Sequence, residues 1–324
     1  MKVKNYLLIF ALSFSLFACG TNLSGVQTPV PTLTPLIEVE TALATSTPFV
    51  EELASFTPYP TFTSPTIAPE VTDKPTDFSP ILYGGKLYGS EFFLLVGGVS
   101  RDAWLTPEES VVRFSGEVTY SLNTMTQQSK YFVWGKTPKL SPSCKIYTIG
   151  IDAGLDEAGF VGVVDGWDVV KRDVAALSDD EEYYQQAVTD WLIGEGVTAP
   201  QIGPLQILRV DIEGDGTDEV FLAASHLDGS QHTTKVGDYS IVLMRKVVGN
   251  FVLTVPLLED IYTSKQEEIT FPQTYSIANF IDLNRDGVLE VVVDVQKWEG
   301  FGAVVYQIND QEVTQVLKTI TCSL

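Results

Sequence analysis

Histidine is almost absent from this 324-residue chain: His226 and His232 are the only two, and cysteine occurs three times. With so few imidazoles and thiols a zinc centre is not expected, and H-E-x-x-H is missing. G-x-S-x-G, the P-loop and G-x-G-x-x-G are missing too, which leaves no signature of a nucleophile-elbow hydrolase, a P-loop nucleotide hydrolase or a dinucleotide enzyme. Bases are scarce: 20 Lys and Arg stand against 42 Asp and Glu, a net charge of −22. Such a surface repels nucleic acid and anionic headgroups and favours divalent cations, so nucleic acid is not an expected partner. Both histidines fall in one polar stretch, "SHLDGSQHTTKVGD", which reads as a long hairpin connection rather than a catalytic pair.

No apolar run reaches the roughly 20 residues that a membrane-spanning helix needs. Behind Lys2 and Lys4, the run Leu7–Ala18 has signal-peptide length and ends in Leu16-Phe17-Ala18-Cys19. That ending resembles the lipobox of bacterial lipoproteins, which implies a signal over residues 1–18 and a lipid on Cys19. The expected location is extracytoplasmic, with the membrane as a partner through that lipid. Losing the signal removes Lys2 and Lys4 and no acid, leaving 18 bases against 42 acids, net −24. Cys144 and Cys322 then remain, an even pair in an oxidising compartment, which reads as a disulfide or as two free buried thiols.

Residues 19–80 read as a disordered linker. Ten of the 17 prolines and 13 threonines lie between Thr21 and Pro80, with Lys74 the only base. "TPVPTLTP" and "FTPYPTFTSPT" cannot build a core and favour extended polyproline II. At ~3.1 Å per residue the segment could reach on the order of 190 Å, a stalk or a plain spacer. From Ile81 the pattern becomes that of a mainly β (α+β) protein, with short runs such as "EFFLLVGG" and "CKIYTIGI" between turn residues. Residues 81–204 form the β-rich first part, with one helix over about 178–193. Ser178 and Glu181 read as its capping box, and Tyr184, Ala187, Val188, Trp191 and Leu192 as its packing face.

Residues 205–324 contain two repeats. "DIEGDGTDEV" (211–220) and "DLNRDGVLEV" (282–291) align position for position, and so do their surroundings. Each unit reads strand, loop, strand, longer connection, strand, turn, strand, with turns at Gly249-Asn250 and Asn309-Asp310. The product is a four-stranded antiparallel sheet about the size of a propeller blade. Within each loop, alternate residues carry oxygen: Asp211, Glu213, Asp215, Thr217 through its carbonyl, and Glu219; then Asp282, Asn284, Asp286, Val288 through its carbonyl, and Glu290. Oxygen ligands at this spacing suit calcium, while the competing reading is a pair of Asx turns with solvated acids. An EF-hand is excluded, because Leu222 and Val293 stand where its twelfth-position glutamate would be. The pattern D-x-[DEN]-x-D-G-x-x-E between strands resembles the FG-GAP/VCBS repeat family. That resemblance implies blade-like antiparallel sheets and two calcium sites with the ligands just named.

Two functions from different classes follow. One is a calcium-stabilised surface module that binds a protein or carbohydrate partner or serves structurally, with no catalytic residues. The other is an exported hydrolase using paired carboxylates, which leave no sequence motif. The five tryptophans, at 104, 134, 167, 191 and 298, are scattered and read as core rather than as a sugar-binding surface.

Overall fold

The structure, a computed structural model, describes residues 77–87, 90–101, 103–114, 116–125, 131–151, 159–229, 232–264, 271–298 and 300–322. The signal, Cys19, the linker up to residue 76 and most of "DAGLDEAG" (152–159), which resembles the acidic loops but lacks their Asp-Gly and reads as a turn from its sequence, lie outside them. All the described residues fall in one unit, Ala68–Leu324. The fold is mainly β, with three antiparallel sheets and two helices among the described residues.

The first sheet takes β1 (Ser79–Leu87), β2 (Ser90–Ser100), β3 (Ala103–Leu105), β4 (Val118–Asn123), β5 (Tyr131–Gly135), β6 (Lys139–Ser141), β7 (Ile146–Thr148) and β8 (Phe160–Val164). Its order is β5-β4-β8-β1-β2-β7-β6, with β3 paired to β2. β1 begins at Ser79, ahead of the expected start at Ile81, because the Ser79 hydroxyl accepts from the Val164 N–H and the strand already pairs with β2 there. Helix α1 (Pro107–Val111) carries a capping box from Thr106 and Glu109. Next come β9 (Ala175–Leu177) and helix α2 (Glu182–Gly194).

The expected capping box on α2 does not form. Its N-cap is Glu181, which makes no side-chain cap hydrogen bond. Ser178 instead lies before a turn, and the Gln185 amide donates to the Asp179 carbonyl to hold the helix start. The packing face is as the spacing predicts: Val188 and Leu192 are buried, with Tyr184, Ala187 and Trp191 packed beside them. The Val197 N–H returns to the Leu192 carbonyl at 2.9 Å and closes the helix end.

The two repeats are two sheets. β10 (Leu205–Val210), β11 (Glu219–His226), β12 (Tyr239–Val248) and β13 (Phe251–Ile261) form a meander, with β9 added beyond β10. β14 (Gln273–Ile281), β15 (Glu290–Lys297), β16 (Gly300–Asn309) and β17 (Glu312–Ile320) form the other. Their registers match: Val210 faces Glu219 where Ile281 faces Glu290, and Val220 faces Arg245 where Val291 faces Tyr306. The last turn differs by one residue from the expected position. It falls at Asp310-Gln311, since Asn309 still pairs with Glu312.

The third sheet, β14–β17, is buried on both faces. Val291, Val293, Val304 and Tyr306 pack against Phe221, Val242 and Met244 of the second sheet. Val292, Ala303 and Val305 pack against Ile81, Tyr83, Val96 and Val163 of the first. This explains why "EVVVDV" shows no apolar–polar alternation. Helix α2 covers the far face of the second sheet, and α1 lies on the far face of the first. A disulfide joins Cys144, beside β7, to Cys322 behind β17, with Cα atoms 5.2 Å apart and a sequence separation of 178. In the chain-entropy description a loop of that length contributes about 5 kcal/mol.

Candidate metal centre

Both acidic loops close a β-hairpin, β10–β11 and β14–β15, and both are built by the same hydrogen bonds. The first-position aspartate takes the sixth-position N–H: Asp211 from Gly216 at 2.9 Å, Asp282 from Gly287 at 3.0 Å. The fifth-position aspartate takes the seventh N–H, at 2.7 Å in Asp215 and 2.8 Å in Asp286. The ninth-position glutamate reaches back to the second N–H, Glu219 to Ile212 at 3.1 Å and Glu290 to Leu283 at 2.7 Å. Ile212 and Leu283 are fully buried and anchor the loops in the core. Gly216 and Gly287 both have φ near 90°, which a side chain would resist.

The fourth position is also left-handed in both loops, at Gly214 (φ 75°) and Arg285 (φ 65°). Arg285 holds this uncommon conformation with its guanidinium 3.8 Å over the Trp167 ring, while the Trp167 indole donates to the Leu283 carbonyl at 2.9 Å. At Gly214 a β-carbon would lie 2.3 Å from Arg172 Nη2. Arg172 in turn ties the loops together, donating to the Ile212 carbonyl and the Gly287 carbonyl at 2.7 Å each. The chain around residues 167–172 therefore straps the two loops, and the Asp282 N–H donates to the Val170 carbonyl within it.

The loops differ where charge is concerned. In the second, Asp282 and Glu290 are 1% and 0% exposed, and Asp282 Oδ1 and Glu290 Oε1 have no hydrogen-bond partner among the described residues. Asn284 and Asp286 hold each other, Asn284 Oδ1 taking the Asp286 N–H and its amide donating to Asp286 Oδ2, both at 2.9 Å. Burial raises the Asp282 pKa; the Gly287, Arg285 and Asp286 N–H groups pull against it and the Asp286 charge adds to it. Burial, then repulsion from Asp286 and Asp282 against the pull of the Leu283 N–H, pushes Glu290 up to about 9. An arrangement of buried oxygens without donors is one that a hard cation would satisfy.

In the first loop a cation is already present. The Lys246 ammonium, on β12 and nearly buried, is 2.6 Å from Glu213 Oε1 and 4.0 Å from Glu219 Oε1. It also donates to the Asp310 carbonyl at 3.2 Å. Burial alone would lower the Lys246 pKa, but Glu213, Glu219 and Asp310 together hold it above its ordinary value. Both oxygens of Asp211 are taken by its own loop, Oδ1 by the Gly214 and Asp215 N–H groups. Burial raises Asp211, yet those N–H groups and Arg172 outweigh it, and its pKa lies below the ordinary carboxylate value.

All ten expected ligand positions thus sit in two matching loops, though no three His, Cys, Asp or Glu side chains among the described residues are gathered tightly enough to hold a metal as placed. Neither a known family, nor a curated protein, nor a solved structure matches the chain. Sequence reasoning missed Lys246 and Arg172, and it read Trp167 correctly as core without seeing that it also holds the second loop. The connection from β11 to β12 is longer than that from β15 to β16, so Lys246 and Gln307 do not align by counting along the chain and correspond only through strand pairing.

The other expected features are dispersed. His226 lies 3.4 Å from Asp228 and packs by Tyr239, while His232 meets Trp298 and Phe271 edge-on. Trp167 is buried, and Trp191 donates to Glu259 at 3.2 Å. A cavity of about 440 Å³ between the second and third sheets has one acid in its lining, Asp179. A second, of about 540 Å³, is lined by Asp168 and by the second loop itself.

Proposed function

We propose that this chain is an exported, lipid-anchored β-repeat module of the FG-GAP/VCBS type, whose sheets act as blades and whose second loop takes a calcium ion. The observation that carries the reading is the pair of buried oxygens without donors, Asp282 Oδ1 and Glu290 Oε1. Asp282, Asn284, Asp286, the Val288 carbonyl and Glu290 are the residues that would hold the ion. Calcium supplies two positive charges there and offsets the mutual repulsion of three carboxylates. The Cys144–Cys322 disulfide supports an oxidising compartment, in keeping with the Leu16–Cys19 sequence. The module's role is binding a protein or carbohydrate partner, or holding structure, rather than catalysis.

Calcium that binds only the folded state adds stability by mass action. At ~1 mM calcium and a dissociation constant of ~10⁻⁴ M, one site contributes about 1.4 kcal/mol, or roughly 3–6 °C in melting temperature for a domain of this size. The test compares melting with calcium and with chelator for the native chain and for Glu290→Gln. The variant keeps an acceptor for the Leu283 N–H and removes one charge, so its ion-free stability holds while the calcium shift disappears. A native chain indifferent to calcium, or a variant that still responds in full, rules the reading out.

A further inference from the structure

We infer that Lys246 is a built-in cation that takes the place of calcium in the first loop, so that the chain binds one calcium ion and not two. This rests on the calcium reading of the second loop, and it concerns what makes two near-identical loops behave differently.

The register supplies the comparison. Val220 and Val291 follow the ninth-position glutamates, and they face Arg245 on β12 and Tyr306 on β16. One residue further on each third strand stand Lys246 and Gln307, which are therefore equivalent. Gln307 is neutral; it donates to Asp286 Oδ2 at 3.2 Å and accepts from the Trp104 indole at 3.3 Å. It brings no charge to the second loop, and Asp282 Oδ1 and Glu290 Oε1 stay without a donor.

Lys246 does the opposite. Its ammonium has three donors, and oxygens of Glu213, Glu219 and Asp310 surround it within 4.0 Å. The side chain is 9% exposed, and the Glu219 side chain beside it is 1% exposed. Glu219 Oε1 has no hydrogen-bond partner among the described residues, so the nearby ammonium is what balances it. A calcium ion at the third and ninth positions would meet that ammonium at close range and would have to expel it. The first loop is thus closed in any calcium concentration, and the demand for an ion is confined to the third sheet, between the other two.

Calcium stoichiometry of the full chain, measured by equilibrium dialysis and native mass spectrometry, decides the matter. The expected count is one for the native chain and none for Asp282→Asn. Lys246→Met, which leaves Glu213 and Glu219 without their cation, is expected to bind two, and Lys246→Met with Asp282→Asn to bind one. The new site should fall in the ~10⁻⁴–10⁻³ M range of extracellular calcium modules. Two ions on the native chain, or no gain on Lys246→Met, overturns the inference and leaves the second loop's site standing. No ion on the native chain but one on Lys246→Met removes the second-loop reading and keeps the role of Lys246. Should Lys246→Met fail to fold at every calcium concentration, the native count with Asp282→Asn still decides: any ion retained by that variant contradicts a closed first loop.

Discussion

Removing Arg172 should loosen both loops at once, although neither hairpin loses a residue of its own. The guanidinium makes two hydrogen bonds, to Ile212 O and Gly287 O, each 2.7 Å. Hydrogen bonds that involve a charged group contribute about 1.5–3 kcal/mol each. The two are not equal here, because Ile212 O keeps a second donor, the Leu289 N–H at 2.9 Å, while the Gly287 carbonyl is left to water. Arg172→Met should therefore cost about 2–3 kcal/mol, a fall of roughly 5–10 °C in melting temperature. Arg172→Lys, with one compact charge in place of a fork, should lose about half of that. Gly214→Ala gives the sharper test. It suffers both from a left-handed φ of 75° and from a β-carbon 2.3 Å from Arg172 Nη2. In the Arg172→Met background only the backbone strain is left, of order 1 kcal/mol. A double-mutant cycle by urea unfolding should show the pair costing less than the sum of the singles. Strict additivity would refute the strap.

The disulfide closes a separation of 178 residues, so Cys144→Ser with Cys322→Ser should lower stability by up to about 5 kcal/mol, read from urea midpoints; unchanged midpoints would show that packing alone holds the C-terminal end. Tyr83 donates to Asp294 at 2.5 Å between the first and third sheets, and Tyr83→Phe should cost about 1–3 kcal/mol because Gln296 alone then serves that carboxylate. Burial raises the Asp294 pKa against the pull of Tyr83 and Gln296. Its contribution is therefore complete below the ordinary carboxylate value of about 3.9 and is lost as pH rises through the raised one. Asp294→Asn should remove that loss, gaining on the native chain between pH 4 and pH 7; a constant difference across that range would contradict the assignment. Cys19→Ser should shift the protein from the membrane fraction to the soluble one, and equal membrane retention would defeat the lipid anchor.

Much of the second half of the fold was legible because the loops fix their own register. Glycine in the sixth place and glutamate in the ninth set where β11 and β15 begin, and the meanders follow from the apolar runs around them. The first sheet was not legible in this way. Its order depends on pairings such as β1 with β8 and β2 with β7, which join segments far apart and leave no local mark. Local signals also misled: Ser178 and Glu181 have capping-box spacing, yet the box that forms is Thr106 with Glu109. The ligand-bearing loops could be read from spacing, whereas the difference between them could not. That difference comes from Lys246 and Gln307, which arrive from third strands and show their equivalence only when the pairing is known.

The most direct measurement is a crystal grown with calcium and examined for anomalous scattering at long wavelength. One calcium peak is expected, in the second loop, at about 2.3–2.6 Å from Asp282 Oδ1 and Glu290 Oε1, with the Lys246 ammonium still against Glu213 in the first. No peak beside Asp282 and Glu290 at millimolar calcium would contradict it.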